Sequence, residues 1–235
     1  MQFLTIILSI MLLALTAPTV LASPFSVQES IPEGYTLGQM GFHGEIAGHE
    51  ITYNGTIEEV VAYAETLYPG ITKSLAARDD VPLSNIPEIA STSIAGRSAS
   101  NYRGGPDDKK GNRYCGQNNK DCPSCGNKKW GYAGKTHVEE GIKYLNKVTA
   151  ACSAGGRKCV RISCSWHSAI FLCNDMEEVV EMPCNWTSTF AQDIIDDVAC
   201  SYPKGDGSGW YLTQYSGQQF AQRAAYNVYL GQANC

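Results

Sequence analysis

The chain has 235 residues, 43% of them hydrophobic, and a formal net charge of −5, which allows one or two globular domains and excludes a disordered chain. The acidic excess lies wholly before residue 115, because basic and acidic residues are equal in number from there on; without a basic excess, no nucleic acid is expected as partner. All ten cysteines also fall after residue 114.

Taken in chain order, Phe3 to Leu15 is an almost unbroken apolar run followed by Pro18 and by Val20-Leu21-Ala22, small or apolar residues suited to cleavage before Ser23. The run is shorter than the ~20 residues that cross a bilayer, and no other segment is long and apolar enough to span one. The expectation is a secretory signal over residues 1–22, with Ala22 at the cut, and an extracellular protein with no membrane span once the signal is gone.

Residues 23–78 form an acidic segment with one predicted helix. Thr56 and Glu59 have capping-box spacing, Val60, Val61, Ala64 and Leu67 can share a face, and Pro69-Gly70 stops the pattern. Leu75-Ala76-Ala77-Arg78 then precedes Asp79-Asp80, and Ser, Pro, Gly and Asn are frequent through Gly111, as in an exposed linker. A Leu-x-x-Arg step in a linker resembles the sites cut by kexin-class proteases in fungal precursors. Ile94-Ala95-Gly96-Arg97 is a weaker copy and Lys109-Lys110 a third candidate. The expected organisation is a propeptide at 23–78, cut at Arg78 or Arg97, a linker at 79–114 and a mature disulfide-rich domain at 115–235.

That domain carries Cys115, Cys122, Cys125, Cys152, Cys159, Cys164, Cys173, Cys184, Cys200 and Cys235, an even set at a density typical of exported scaffolds, with connectivity that spacing leaves open. Cys122-Pro-Ser-Cys125 has redox-pair spacing but no βαβ pattern around it, so structural disulfides are expected for all ten. Neither a metal nor another cofactor is expected; His43-x-Glu45 and His49-Glu50 lack the helical two-histidine zinc spacing.

Thr136 to Ala151 reads as a helix, with Thr136 and Glu139 at capping-box spacing. Val160, Ile162, Cys164 and Trp166 alternate with polar residues as in a strand, and Ala169 to Cys173 follows after a short connection at His167-Ser168. A second helix fits Ser188 to Cys200, a loop Gly205 to Gly209, and strands Trp210 to Tyr215 and Tyr226 to Leu230. The fold class is α+β, helices packed on an antiparallel sheet.

Two sequons, Asn54-Gly-Thr and Asn185-Trp-Thr, are glycan acceptors in an exported chain. His137 beside Glu139 and Glu140, together with His167, supplies the residue types of an extracellular hydrolase or ribonuclease. Trp130, Trp166, Trp186 and Trp210 are expected mainly to fill a small core. Trp166 and His167, at the end of a hairpin, are the best candidates for an exposed contact surface.

The run Val160 to Asp175, a helix ending in Cys200, Gly217-Gln218-Gln219-Phe220 and Tyr226 to Leu230 before Cys235 resemble a group of small secreted cysteine-rich fungal proteins regarded as effectors. The order of elements is also loosely similar to smut-fungus killer toxins and necrosis-inducing-factor effectors. The resemblance implies helices on an antiparallel sheet, several disulfides, and action by binding a host or microbial protein or a cell-surface glycan rather than by catalysis. The other readings are the extracellular hydrolase or ribonuclease and a carbohydrate-binding or protease-inhibitor module.

Overall fold

The capping box expected at residues 56–59 forms: the Glu59 carboxylate accepts from the Thr56 amide at 2.8 Å and the Thr56 hydroxyl from the Glu59 amide at 3.4 Å. It starts helix α1, Ile57–Leu67, whose Ile57, Val60, Val61 and Ala64 are buried. The structure, a computed structural model, describes residues 31–32, 34–81, 102–115, 131–205, 211–222 and 226–235. The signal segment with Ala22, the Arg97 step and the Cys122, Cys125 pair lie outside the described residues.

Strands β1 (Thr36–Gly38), β2 (Gly41–Ile46) and β3 (His49–Asn54) precede α1, and helix α2 (Ile71–Ala76) follows it. Next come β4 (Tyr102–Arg103), β5 (Lys110–Cys115), β6 (Ala133–Gly134), α3 (Lys135–Asn146), β7 (Thr149–Ala154), β8 (Lys158–Ser165), β9 (Ser168–Asn174), β10 (Val180–Pro183) and α4 (Cys184–Asp196). A 3-10 turn, Val198–Cys200, leads into β11 (Ser201–Gly205), β12 (Tyr211–Tyr215), β13 (Gly217–Ala221) and β14 (Tyr226–Gln232).

The strands form a six-stranded sheet in the order β1-β8-β9-β14-β13-β5, a five-stranded sheet β3-β2-β7-β10-β4 and a three-stranded sheet β11-β12-β6. The β1–β8 and β10–β4 pairs are parallel and the rest antiparallel, so the α+β class holds. The division at residue 115 is not a division of the core. Met40, Phe42, Ile46, Ile57 and Leu75 are buried in one cluster with Ile142, Val160, Leu172, Phe190 and Val228, and β2 pairs with β7 along Gly41 to Glu45.

Local expectations shift for tertiary reasons. Thr136 does not cap α3, which begins one residue earlier with Gly134 at its N-cap. The helix also ends at Asn146, because Thr149 to Ala154 pairs with β2 on one side and β10 on the other. Helix α4 starts at Cys184, four residues before the periodicity placed it, and Ser201 to Gly205 is a strand.

Strand β8 carries a bulge between Arg161 and Ser163. Paired residues share a sheet face, so Val160 opposite Leu172 faces the main core, while Cys164 opposite Ala169 faces the other side. Strict alternation would have put Cys164 with Val160. On that second face Phe171 and Tyr229 stack at 5.5 Å within a smaller core that also holds Cys159, Cys164 and Cys173.

All eight described cysteines are paired, as Cys115–Cys200, Cys152–Cys184, Cys159–Cys173 and Cys164–Cys235. They tie β5 to the 3-10 turn, β7 to α4, β8 to β9, and β8 to the C-terminal residue. No described helix is long and apolar enough to cross a membrane.

Candidate binding surface

The β8–β9 hairpin closes through Trp166 and His167, with Ser165 and Ser168 as the last pair. Both loop residues have positive φ, 47° and 59°, the left-handed pattern of a type I′ turn that Asn and Gly adopt most readily. Holding Trp and His there costs about 1–2 kcal/mol per residue. The absence of Asn or Gly is why the hairpin signal in the sequence is weak and why Trp166 reads as strand.

The surroundings hold the turn in place. Ser168 Oγ accepts from the Gly134 amide at 2.9 Å and donates to Trp166 O at 3.3 Å. The Ala233 amide donates to His167 O at 3.2 Å, and His167 Nδ1 lies 3.3 Å from Ala233 O. Cys164–Cys235 links the strand beneath the turn to the same C-terminal segment. The turn is thus clamped between β6 and the chain end, while the Trp166 side of it projects: Trp166 is 78% exposed.

His137, in the first turn of α3, stacks on Trp166 with ring centroids 6.0 Å apart and 21° between planes. Its Nδ1 lies 3.3 Å from Glu140 Oε2. A second ring pair lies on the neighbouring sheet. Tyr202 is opposite Gln214, and Gln214 is opposite Gly134, so the three share one face, and a Cβ on Gly134 would touch His137 Cδ2 at 3.3 Å. Tyr132, just before β6, stacks on Tyr202 at 4.8 Å. Burial, and then the neighbouring Tyr202, pushes the Tyr132 phenol up. Two ring pairs, Trp166 with His137 and Tyr132 with Tyr202, thus lie near β6, the first beside Gly134 and the second through Tyr132, just before the strand. Tyr132 and Tyr202 carry no local signal, because they meet only through β12, which pairs with β11 on one side and, about eighty residues back, with β6 on the other.

The other sequence candidates separate clearly. Trp186 belongs to the core, its Nε1 donating to Tyr226 OH at 2.9 Å; Trp130 and Trp210 lie outside the described residues. Asn54 is exposed at the end of the edge strand β3. Asn185 is 3% exposed and its Nδ2 donates to Val81 O at 3.1 Å, so the fold has no room for a glycan on that nitrogen. Arg78 is not in an extended linker: its amide donates to Leu75 O at 3.2 Å, Leu75 is buried, and its guanidinium lies 3.9 Å from Glu45. Lys110 is equally built in, with Nζ 2.8 Å from Asp193 and 3.0 Å from Thr189 O.

His43 bonds Thr52 at 2.9 Å and lies 3.7 Å from Glu50, while His49 stacks on Tyr68 at 3.9 Å. Among the described residues, the metal-ligand cluster is Cys115, Asp197 and Cys200. Its two sulfurs are bonded to each other and its carboxylate is paired with Arg113 at 2.8 Å, so its donors are already used. A cavity of about 210 Å³ between α2 and α3, lined by Leu75, Tyr144 and Lys147 among others, contains neither His137 nor His167. Among the described residues neither of these imidazoles bonds a hydroxyl or thiol side chain: His137 meets Glu140 and His167 meets Ala233 O. No protein-family model, curated protein or solved structure matches the chain.

Proposed function

We propose that the chain is a secreted binding protein, effector-like or killer-toxin-like in kind, that engages a host or competing-microbe target through Trp166 and the rings beside it. The observation that carries this reading is Trp166 itself, 78% exposed in a left-handed conformation that L residues avoid. A large apolar side chain kept in water on a strained turn contributes nothing to the core, and strain of this sort collects at sites of function. Trp and Tyr are the residues that most often dominate binding energy at interfaces. Four disulfides fit an extracellular setting, where covalent links persist.

The test compares wild type with Trp166→Ala, each purified oxidised, by infiltration into candidate host tissue and by capture on host and microbial cell-surface fractions. Trp166→Ala is expected to keep the circular dichroism and melting temperature of wild type and to bind about 30-fold more weakly or worse, as at other interface hot spots. Equal binding and response by the two proteins would remove Trp166 from the function.

The hydrolase reading has one observation in its favour, the 3.3 Å approach of His137 to Glu140. Turnover of polysaccharide or RNA that disappears in His137→Ala, while target capture persists, would favour it.

A further inference from the structure

The cysteine-free segment is packed into the rest of the molecule with no disulfide to it. None of the four disulfides reaches residues 36–81, yet β2 is the inner neighbour of β7 and β1 the outer neighbour of β8. Met40, Phe42, Ile46, Ile57, Val60 and Leu75 are each no more than 1% exposed. They share one core cluster with Val138 and Leu145 of α3 and Cys152 and Ala154 of β7, which the same close packing keeps from water.

The polar contacts are just as specific. Glu58 accepts from the Ser163 hydroxyl at 2.6 Å and from the Cys164 amide at 3.0 Å, the second at the bulged end of β8 that leads to Trp166. Gly141 makes this approach possible, since a Cβ there would collide with Ser163 Oγ. At the far end of the segment, Lys147 Nζ donates to Ala76 O at 3.0 Å, the Val81 amide to Asn146 O at 2.8 Å, and Asn185 Nδ2 to Val81 O.

We propose that residues 36–81 are a permanent part of the working protein, packed against α3, β7 and β8 and retained by non-covalent contacts when the chain is cut between Val81 and Tyr102, and not a segment that leaves after processing. The backbone around Arg78 is folded and hydrogen-bonded, so a protease cannot extend it in its cleft without first peeling α2 away. Hydrolysis of a peptide bond between Val81 and Tyr102 adds one water, leaves a new carboxylate and a new amine, and breaks none of the contacts named above. The product is a two-chain protein held by burial and hydrogen bonds. This inference stands independently of the role of Trp166.

The test uses the full oxidised chain with a specific protease site inserted between Val81 and Tyr102. After cutting, the two pieces are expected to co-elute at the uncut mass in native buffer and to separate in denaturant without reductant. Separation in native buffer, whether the larger piece stays soluble or precipitates, overturns the proposal. In the cut protein, Glu58→Ala is expected to release the smaller piece at least tenfold faster, as for loss of hydrogen bonds to a charged group. An unchanged rate would remove Glu58 as an anchor. Native-state hydrogen exchange on the unmodified protein asks the same question without an insertion: amides of β2 and α1 are expected to exchange as slowly as those of β7, as parts of one cooperative unit. Exchange of β2 and α1 a hundredfold faster than β7 would overturn it.

Discussion

Cys164 is bonded to Cys235, the last residue of the chain, two positions before Trp166. The link closes 71 residues and lies beneath the turn whose carbonyl His167 O accepts from Ala233. The Cys164→Ala, Cys235→Ala double variant is expected to lose about 2–4 kcal/mol of stability. Its amides at 165–168 should lose exchange protection ahead of the sheet interior, and its target binding should weaken even where the fold survives. Thermal melts and hydrogen exchange check this directly.

Strain at the turn predicts opposite effects on stability and function. Trp166→Asn places a residue tolerant of positive φ where Trp now sits and should stabilise by about 1 kcal/mol, raising Tm by about 2–4 °C, while binding is lost. His167→Gly should stabilise similarly and leave the indole in place, so binding persists. A fall in Tm for both variants would show that the turn is not strained.

Asp197 predicts an acid-dependent clasp. Burial alone would raise its carboxyl, but the Ala199 amide at 2.9 Å and the Arg113 guanidinium at 2.8 Å outweigh that and hold it below the ordinary carboxylate range. With the folded value lowered, its contribution is complete above the unfolded value near pH ~4 and is lost as pH falls through the folded one. The pair is partly exposed, so Asp197→Asn should cost under about 1 kcal/mol at neutral pH. The difference from wild type should shrink towards zero in melts taken at progressively lower pH below ~4.

What could be read in the sequence was what local chemistry decides. Thr56 and Glu59 announce α1 because both halves of a capping box lie within four residues, and β8 and β9 are visible as an alternating segment followed by an apolar run. Trp166 was singled out from its place at the hairpin end, although the turn was set one residue late for want of Asn or Gly. Residues 149–151 read as helix because nothing nearby shows that their strand partner, β2, lies about a hundred residues earlier. The strands of 36–54 were missed for the same reason: the cysteine boundary at 115 marks where covalent links begin, not where the core does. Tyr132 and Tyr202 stayed hidden until β11, β12 and β6 were paired.

Peptide mapping of the oxidised protein under non-reducing conditions tests the account most directly, since the clamp beneath Trp166 depends on Cys164 being joined to Cys235. The expected fragments are linked as Cys115–Cys200, Cys152–Cys184, Cys159–Cys173 and Cys164–Cys235. Any of these eight found as a free thiol, or joined to a different partner, would contradict it.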